Sequence, residues 1–318
     1  NKYSNWYEAG NRTHVIDYDG DGHQDMLLGP SSGGEWYVLQ NDGNIYSNGF
    51  NDMSAVISNK YGNWYKAGDR VHIIDYNEDG LDDIILGPSS GGEWYALRND
   101  RGSFTDVGAI ITNKYSNWSG AGSRVKIIDY NSDGRDDILM GPSGSGNWYV
   151  LRNDSGSGFT DIGAILTGKY ANWASAGGSR INVIDYNDDG RDDILLGPHS
   201  SGSWHVLRNT GANFTDEGAV INSEFANWHE AGDRVHIIDI NNDSIDDVLL
   251  GPSTTGDWYA MRNDGGSFTQ LGTVLEGKYG NWVDGGSRVR VMDVNSDGHT
   301  DIFIGPSSSG TWYMLENQ

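Results

Sequence analysis

Acidic and amide side chains recur in one fixed pattern, D-x-[DN]-x-D-[GS]-x-x-D, which occurs six times in the chain. The first copy places Asp17, Asp19, Asp21 and Asp25 at its first, third, fifth and ninth positions. Alternate residues of a tight loop point to one side, and Ca²⁺ takes about six to eight oxygen ligands, whereas Mg²⁺ usually keeps several waters. The pattern therefore predicts about six Ca²⁺ ions, one in each copy.

Each copy supplies four side-chain ligands and the backbone carbonyl of its seventh residue, whose type varies freely. The predicted ligands are Asp17, Asp19, Asp21, His23, Asp25, Asp75, Asn77, Asp79, Leu81, Asp83, Asp129, Asn131, Asp133, Arg135, Asp137, Asp185, Asn187, Asp189, Arg191, Asp193, Asp239, Asn241, Asp243, Ile245, Asp247, Asp293, Asn295, Asp297, His299 and Asp301. Glycine at the sixth position permits the sharp turn, and Ser244 replaces it in the fifth copy, for which we expect a weaker site. Solvated Asx turns, which favour the same residue types, are the alternative. No base or nucleophile accompanies all six copies, so the predicted role of the metal is structural.

The acidic pattern belongs to a repeat of about 53 residues that fills the chain. All 12 Trp fall into two series of six, and all six Pro follow a Gly. Six units leave no room for a linker, so we predict a single domain over residues 1–318. The second tryptophan series opens a hydrophobic segment and is predicted to lie in the core: Trp36, Trp94, Trp148, Trp204, Trp258 and Trp312.

Each repeat has the composition of short β-strands. In the second repeat, residues 70–76, 83–87, 94–98 and 104–112 are rich in Ile, Val, Tyr and Trp and are separated by Gly, Asn and Asp. Four strands at this period are typical of a propeller blade, whereas the coils of an open β-solenoid are usually shorter. We predict an all-β, six-bladed β-propeller whose ring is closed when Asn1 to about Ala9 completes the last blade.

The charge balance excludes one class of partner. There are 21 basic and 45 acidic residues, a net charge of −24, so a basic face for nucleic acid is not expected. No run approaches the about 20 apolar residues of a transmembrane helix. Cysteine is absent, which removes disulfide and thiol chemistry.

Aromatic residues in a polar stretch are the candidates for ligand contact. The Asn-Trp pairs follow an aromatic residue in a Gly-, Asn- and Ser-rich segment that we expect to reach a surface, and an arginine lies in fixed register after each. The candidates are Trp6, Trp64, Trp118, Trp173, Trp228, Trp282, Arg12, Arg70, Arg124, Arg180, Arg234 and Arg288. The tryptophans either contact a sugar or wedge between blades, and the arginines either bind a ligand or tie neighbouring backbones together.

A second polar register lies near the start of each repeat. It holds His14, His72, Lys126, Asn182, His236 and Arg290. These residues are always polar and otherwise variable, which favours the lining of a channel or groove over a ligand set.

The motifs K-Y-x-N-W, I-D-Y-N-x-D-G-x-D-D-I-L-L-G-P, W-Y-x-L-R-N-D and G-x-F-T resemble FG-GAP/VCBS propeller repeats, which carry integrin α-like calcium loops. They also resemble the Psathyrella velutina lectin-like family over the whole chain. This resemblance implies a secreted, multivalent carbohydrate-binding propeller with glycans as partners. Those relatives mostly have seven blades, and Leu-Gly-Pro stands here where they have Gly-Phe-Gly.

Two alternatives to a lectin remain open. One is a protein-binding adhesion propeller or the accessory domain of a secreted toxin or hydrolase. The other is a glycosidase or lyase whose unique residues lie in the irregular stretch Asn44–Met53. No catalytic residues are predicted, because an active site requires one unique constellation and the chain repeats the same one.

Overall fold

The computed structural model describes residues 3, 6, 10–43, 49–64, 66, 68–154, 158–175, 178–228, 232–282 and 288–317. Regular structure in these residues consists of antiparallel β-strands and short 3-10 turns. The turns are Gly10–Arg12, Gly62–Trp64, Gly68–Arg70, Ser116–Trp118, Gly122–Arg124, Ala171–Ala174, Gly178–Arg180, Ala226–Trp228 and Gly232–Arg234. No helix of the described residues is long and apolar enough to cross a membrane.

The chain separates into two compact units, and the first comprises residues 1–122, 154–159 and 287–318. It holds three sheets, each with its strands in sequence order. Their strands are β1 (Thr13–Ile16), β2 (Asp25–Leu28), β3 (Trp36–Asn41) and β4 (Phe50–Ile57); β5 (Val71–Ile74), β6 (Asp83–Leu86), β7 (Trp94–Asn99) and β8 (Phe104–Ile111); and β21 (Val289–Met292), β22 (Asp301–Ile304) and β23 (Tyr313–Leu315).

The second unit comprises residues 123–153 and 160–286. Its three sheets have four strands each, in the same meander. Their strands are β9 (Val125–Ile128), β10 (Asp137–Met140), β11 (Trp148–Asn153) and β12 (Phe159–Leu166); β13 (Ile181–Ile184), β14 (Asp193–Leu196), β15 (Trp204–Asn209) and β16 (Phe214–Ile221); and β17 (Val235–Ile238), β18 (Asp247–Leu250), β19 (Trp258–Asn263) and β20 (Phe268–Leu275). The prediction of an all-β, six-bladed propeller is confirmed; that of a single domain stays a prediction.

Burial explains the composition of the strands. The second strand of every sheet is buried at all four residues, as Asp83–Leu86 illustrates, so both of its faces pack against neighbours. The third strand alternates, with Trp94 and Ala96 buried and Tyr95 half-buried. The outer strand Phe104–Ile111 is mostly exposed. Because the second strand has no solvated face, it is apolar after its first residue.

The second tryptophan series forms the core, as predicted, in five of its six members. Trp36, Trp94, Trp148, Trp204 and Trp258 are at most 1% exposed. The sixth, Trp312, is half-buried and stacks on Phe303 at 5.1 Å between ring centroids. The sheet of Trp312 has three strands among the described residues, whereas the other five sheets have four.

Most of the predicted closing segment, Asn1 to about Ala9, lies outside the described residues. Of that segment, Tyr3 and Trp6 are buried against residues of the first and last sheets, including Met26 and Phe303. The Tyr3 hydroxyl donates to Asp52 in β4 at 2.7 Å. The N-terminal residues that are described therefore pack where these two sheets meet.

Candidate functional site: acidic loops and clefts

The acidic pattern folds into the turn between the first two strands of each sheet. The Asp at position one accepts backbone N–H groups from positions five and six, as Asp75 does from Asp79 at 3.2 Å and Gly80 at 2.9 Å. The Asp at position five accepts the N–H of position seven, Leu81, at 3.0 Å. These bonds curl the loop around its own carboxylates.

Oxygen atoms at the third position of the pattern are available to a cation. Asp19 Oδ1, Asn131 Oδ1 and Asn187 Oδ1 are buried and have no hydrogen-bond partner. The amide Nδ2 of Asn131 donates to Asp133 at 2.9 Å, which fixes the orientation of the side chain. In the first loop, carboxylate oxygens of Asp17, Asp19 and Asp21 lie within 4.8 Å of one another. Because a buried polar atom without a partner costs free energy, this oxygen set fits a hard divalent cation.

The Asp at position nine links the loop to the third strand. Asp25 is fully buried and accepts the N–H of Asn41 at 2.7 Å and that of Tyr18 at 2.8 Å. Burial raises the pKa of Asp25 to about 7, although the two amide bonds oppose this shift. Each carboxylate oxygen has a further lone pair, so this group can bind a cation without losing either hydrogen bond from the backbone.

Sequence reasoning missed the role of the acid at position eight. Asp82 accepts the backbone N–H of Asp17, at the start of the preceding loop, at 2.8 Å. In the second unit Asp192 does the same for Asp129 at 2.9 Å. The repeated Asp-Asp pair is the signal in the sequence. Its second member accepts hydrogen bonds within its own sheet, and its first member accepts one from the loop of the neighbouring sheet.

Ser244 occupies a backbone conformation that disfavours a side chain. Its φ is 71°, while the glycine at the same position in the second loop, Gly80, has a φ of 80°. A non-glycine residue in the left-handed region costs about 1 kcal/mol.

We therefore expect Ser244→Gly to raise the free energy of unfolding by about 1 kcal/mol. The reciprocal change Gly80→Ser should lower it by a similar amount. Urea denaturation of both variants measures the effect, and equal stability of Ser244→Gly and the wild type would contradict it.

The predicted ligand tryptophans are buried, whereas the asparagine beside Trp64 is exposed, and a contact of these tryptophans with a ligand stays a prediction. Trp64 is 4% exposed, and its indole is covered by the Arg70 guanidinium at 4.5 Å and by the edge of Tyr95 at 6.3 Å. The other members are also buried, namely Trp6, Trp118, Trp173, Trp228 and Trp282. Packing thus accounts for most of the indole surface, and the asparagine is exposed in each pair for which the structure describes it.

The arginine series has a structural role. Arg70 donates to the Pro88 carbonyl at 2.9 Å, and Arg234 donates to the Pro252 carbonyl at 2.8 Å. Arg12, Arg124, Arg180 and Arg288 make the same bond to the proline of their own sheet. The bond stays within one sheet, where it links the turn before the first strand to the backbone after the second strand. A role of these arginines in ligand binding stays a prediction.

A cleft lies beside the Asn-Trp segment in each unit. In the first unit, Trp64, Asn63 and Tyr95 line a cleft of about 380 Å³ together with Tyr61, Arg70, Ser89, Ser90 and Ser119. In the second, Trp228, Asn227 and Tyr259 line one of about 360 Å³ together with Phe225, Arg234, Ser253 and Thr254. The tyrosine of the third strand and the serines of the turn after Gly-Pro were missed from the sequence. Strand alternation, which turns Tyr95 away from buried Trp94, is the signal that locates the tyrosine.

An acidic residue on the outer strand positions the aromatic residue of some clefts. The Tyr61 hydroxyl donates to Asp106 at 2.7 Å, and Lys60 pairs with the same carboxylate at 2.6 Å. Burial, and then the bond to Asp106, raises the pKa of Tyr61 above its usual range. Phe225 replaces this tyrosine in the cleft of Trp228, which therefore lacks the tyrosine hydroxyl.

The fold and the loops define the class of protein. Residues 17–86, 75–140, 129–196, 185–250 and 239–304 match the model of the FG-GAP-like repeat, and the chain belongs to this family. The predicted resemblance to FG-GAP propellers is thereby confirmed.

Among solved structures, the chain is similar to a lectin from Agrocybe aegerita whose structure concerns recognition of non-reducing terminal N-acetylglucosamine. The TM-score is 0.63 at 21% identity, over 96% of this chain and 80% of that chain. A Photorhabdus luminescens Tc holotoxin pore gives 0.61 at 17% identity, over 95% of this chain and 14% of that chain. These likenesses show the fold.

Among curated proteins, the chain is 27% identical to a phosphatidylinositol-glycan-specific phospholipase D of Dictyostelium discoideum, over 64% of this chain. It is 25% identical to integrin alpha pat-2 of Caenorhabditis elegans, over 62% of this chain. The matched region covers 20% of the phospholipase D and 18% of the integrin, so the chain spans about a fifth of the length of each relative.

Proposed function

We propose that this protein is a calcium-stabilised, multivalent carbohydrate-binding propeller. The observation that carries the proposal is the recurrence of one cleft at the same register in both units. Each cleft presents an exposed asparagine amide, a tyrosine ring, hydroxyl groups of the turn and the edge of a tryptophan. Apolar faces with a few placed polar groups are typical of small-ligand sites, and these volumes are within the usual range.

The chemistry of the cleft favours a sugar. A tyrosine ring packs against the C–H face of a pyranose, while the amide and hydroxyl groups offer both donors and acceptors to its hydroxyl groups. The indole and guanidinium are held against each other, so they present a rigid wall and lose little entropy on binding. Similarity to the Agrocybe aegerita lectin supports a sugar ligand in this fold.

Calcium would have a structural part in this function. The four side chains of each loop and the carbonyl of its seventh residue would hold the ion, which would neutralise the carboxylates gathered there. Sites of this loop type suit the millimolar calcium outside cells, so a secreted setting is part of the proposal. Repeated weak sites on one rigid scaffold would gain avidity on a glycan-coated surface.

A second candidate function is that of an accessory or protein-binding module. The match to about a seventh of a toxin chain, 14%, and to a fifth of a phospholipase D favours it, because such propellers serve as parts of longer proteins. This candidate does not account for the two equivalent clefts. The glycosidase or lyase alternative stays untested, since residues 44–48 of the irregular stretch lie outside the described residues and Phe50–Ile57 is an ordinary outer strand.

A glycan array of the calcium-loaded protein tests the proposal. We expect selective binding to one terminal sugar, with N-acetylglucosamine among the sugars presented. A blank array from protein shown to be folded would favour the accessory module.

Loss of the asparagine amides should weaken that binding. Asn63 and Asn227 are exposed and line the two clefts, so their removal leaves the core intact. We expect the double change Asn63→Ala and Asn227→Ala to lower avidity on the selected glycan by at least about tenfold. Asn222→Ala, at an exposed position outside the clefts, is the matched control, and equal loss in both proteins would contradict this assignment.

A further inference from the structure

The second residue of each first strand is a cation or a hydrogen-bond donor in all six sheets: His14, His72, Lys126, Asn182, His236 and Arg290. None of the six is acidic, although the chain has 45 acidic residues against 21 basic ones. The sequence analysis interprets this register as the lining of a channel or groove. Its chemistry is opposite in sign to that of the calcium loops.

In the first unit this register holds His14, His72 and Arg290. The Arg290 guanidinium donates to the Thr13 carbonyl from Nε at 2.9 Å and from a terminal nitrogen at 2.6 Å, and also to the Val289 carbonyl at 2.7 Å. Burial lowers the pKa of His14 to about 3, so its imidazole is neutral at pH 7. Arg290 is a cation whose donors are used by backbone carbonyls, and His14 carries no charge.

The second unit differs, because its cation has no partner. Lys126 lies on β9 and makes no hydrogen bond or ion pair with any residue that the structure describes. Burial lowers the pKa of Lys126 to about 8, so the ammonium form still predominates at pH 7, and no carboxylate of the described residues raises this pKa. The side chain is half-buried, and therefore it is enclosed but reachable.

A second donor without a partner stands at the same position of the next strand. The Nδ2 atom of Asn182 on β13 is buried and has no hydrogen-bond partner. β13 lies beside β9 on one side and β17 on the other. Lys126 pairs with Leu139 and Asn182 with Leu195, so the two side chains leave their strands at equivalent points and on the same face.

We propose that Lys126 and Asn182 bind one small anion, of the size of a halide or a carboxylate, on the first strands of the second unit. Such an anion accepts hydrogen bonds from an ammonium group and from an amide N–H. The anion satisfies both otherwise unpartnered groups at once. His236, next in the register, contacts the Gly251 carbonyl through its Nε2 at 3.3 Å and borders the site. The site is independent of the sugar clefts.

Bromide is the probe for this site, because it can be located by anomalous diffraction. In crystals of the whole chain soaked in sodium bromide, we expect a peak within hydrogen-bonding distance of Lys126 Nζ and Asn182 Nδ2. In solution, sodium bromide and sodium acetate should raise the melting temperature of the wild type more than that of Lys126→Met, since a ligand stabilises only the state that binds it. A stabilisation by acetate but not by bromide would show that the site selects a carboxylate. A stabilisation by both salts would show that it accepts any small anion.

Matched variants keep the test decisive. Lys278→Met removes a charge from an exposed surface and should respond to both salts as the wild type does. Lys126→Arg should retain anion binding, and Asn182→Leu should weaken it by about tenfold or more. If Lys126→Met fails to fold, these two variants test the proposal in its place. Absence of a peak at Lys126, or equal salt responses of the wild type and a folded variant lacking the Lys126 charge, would overturn the proposal.

Discussion

Removal of calcium is expected to lower the midpoint of thermal unfolding by about 10 °C or more. A ligand that binds only the folded state at about a hundred times its dissociation constant contributes about 2.7 kcal/mol per site, and the pattern predicts about six sites. Without the cation, clustered carboxylates such as Asp17, Asp19 and Asp21 repel one another. The effect is therefore large although each loop is small.

Calorimetry in calcium and in EDTA measures this effect, with magnesium as the control for a nonspecific divalent effect. Asp79→Ala should remove one ion from the bound total, while Asp100→Ala, at an exposed aspartate outside the loops, should remove none. An unchanged midpoint in EDTA would contradict the structural role of calcium.

Replacement of the glycine before the repeated proline is expected to destabilise the fold by about 3 kcal/mol or more. A Cβ added at Gly141 would lie 2.1 Å from Cε3 of buried Trp148, a distance that no packing permits. All six sheets repeat this contact, with distances of 2.0 to 2.3 Å. The indole cannot move aside, because it lies in a close-packed core.

Gly144 is the matched control for Gly141, since it lies in the turn between β10 and β11 and a Cβ there would meet nothing within 4 Å. We expect Gly144→Ala to change the free energy of unfolding by less than about 0.5 kcal/mol. Urea denaturation of the two variants gives the comparison. A Gly141→Ala protein as stable as Gly144→Ala would show that the tryptophan is not packed against this glycine.

The sequence predicts the fold and the loops because both depend on local spacing. Acidic residues at alternate positions of a tight loop converge whatever surrounds them, so Asp75 and Asp79 are predicted to lie together without tertiary information. Strands such as Asp83–Leu86 are equally evident, because a run buried on both faces has to be apolar. Repetition of each pattern strengthens these predictions.

The site beside the Asn-Trp segment depends on packing between elements and was predicted only in part. The sequence identifies Trp64 and Arg70, but their burial against each other follows from the fold of the turn, which no spacing reveals. Tyr95 reaches the cleft from another strand, and Asp82 serves a loop 65 residues away. Such contacts join residues that are distant in sequence, so composition and periodicity do not specify them.

A crystal structure of the calcium-loaded protein with the sugar selected by the array tests the central claim most directly. We predict one cation in each acidic loop and a sugar ring in the clefts of Trp64 and Trp228, against Tyr95 and Tyr259, with the Asn63 and Asn227 amides bonded to its hydroxyl groups. A sugar bound elsewhere, or empty clefts at a sugar concentration well above its dissociation constant, would contradict the account.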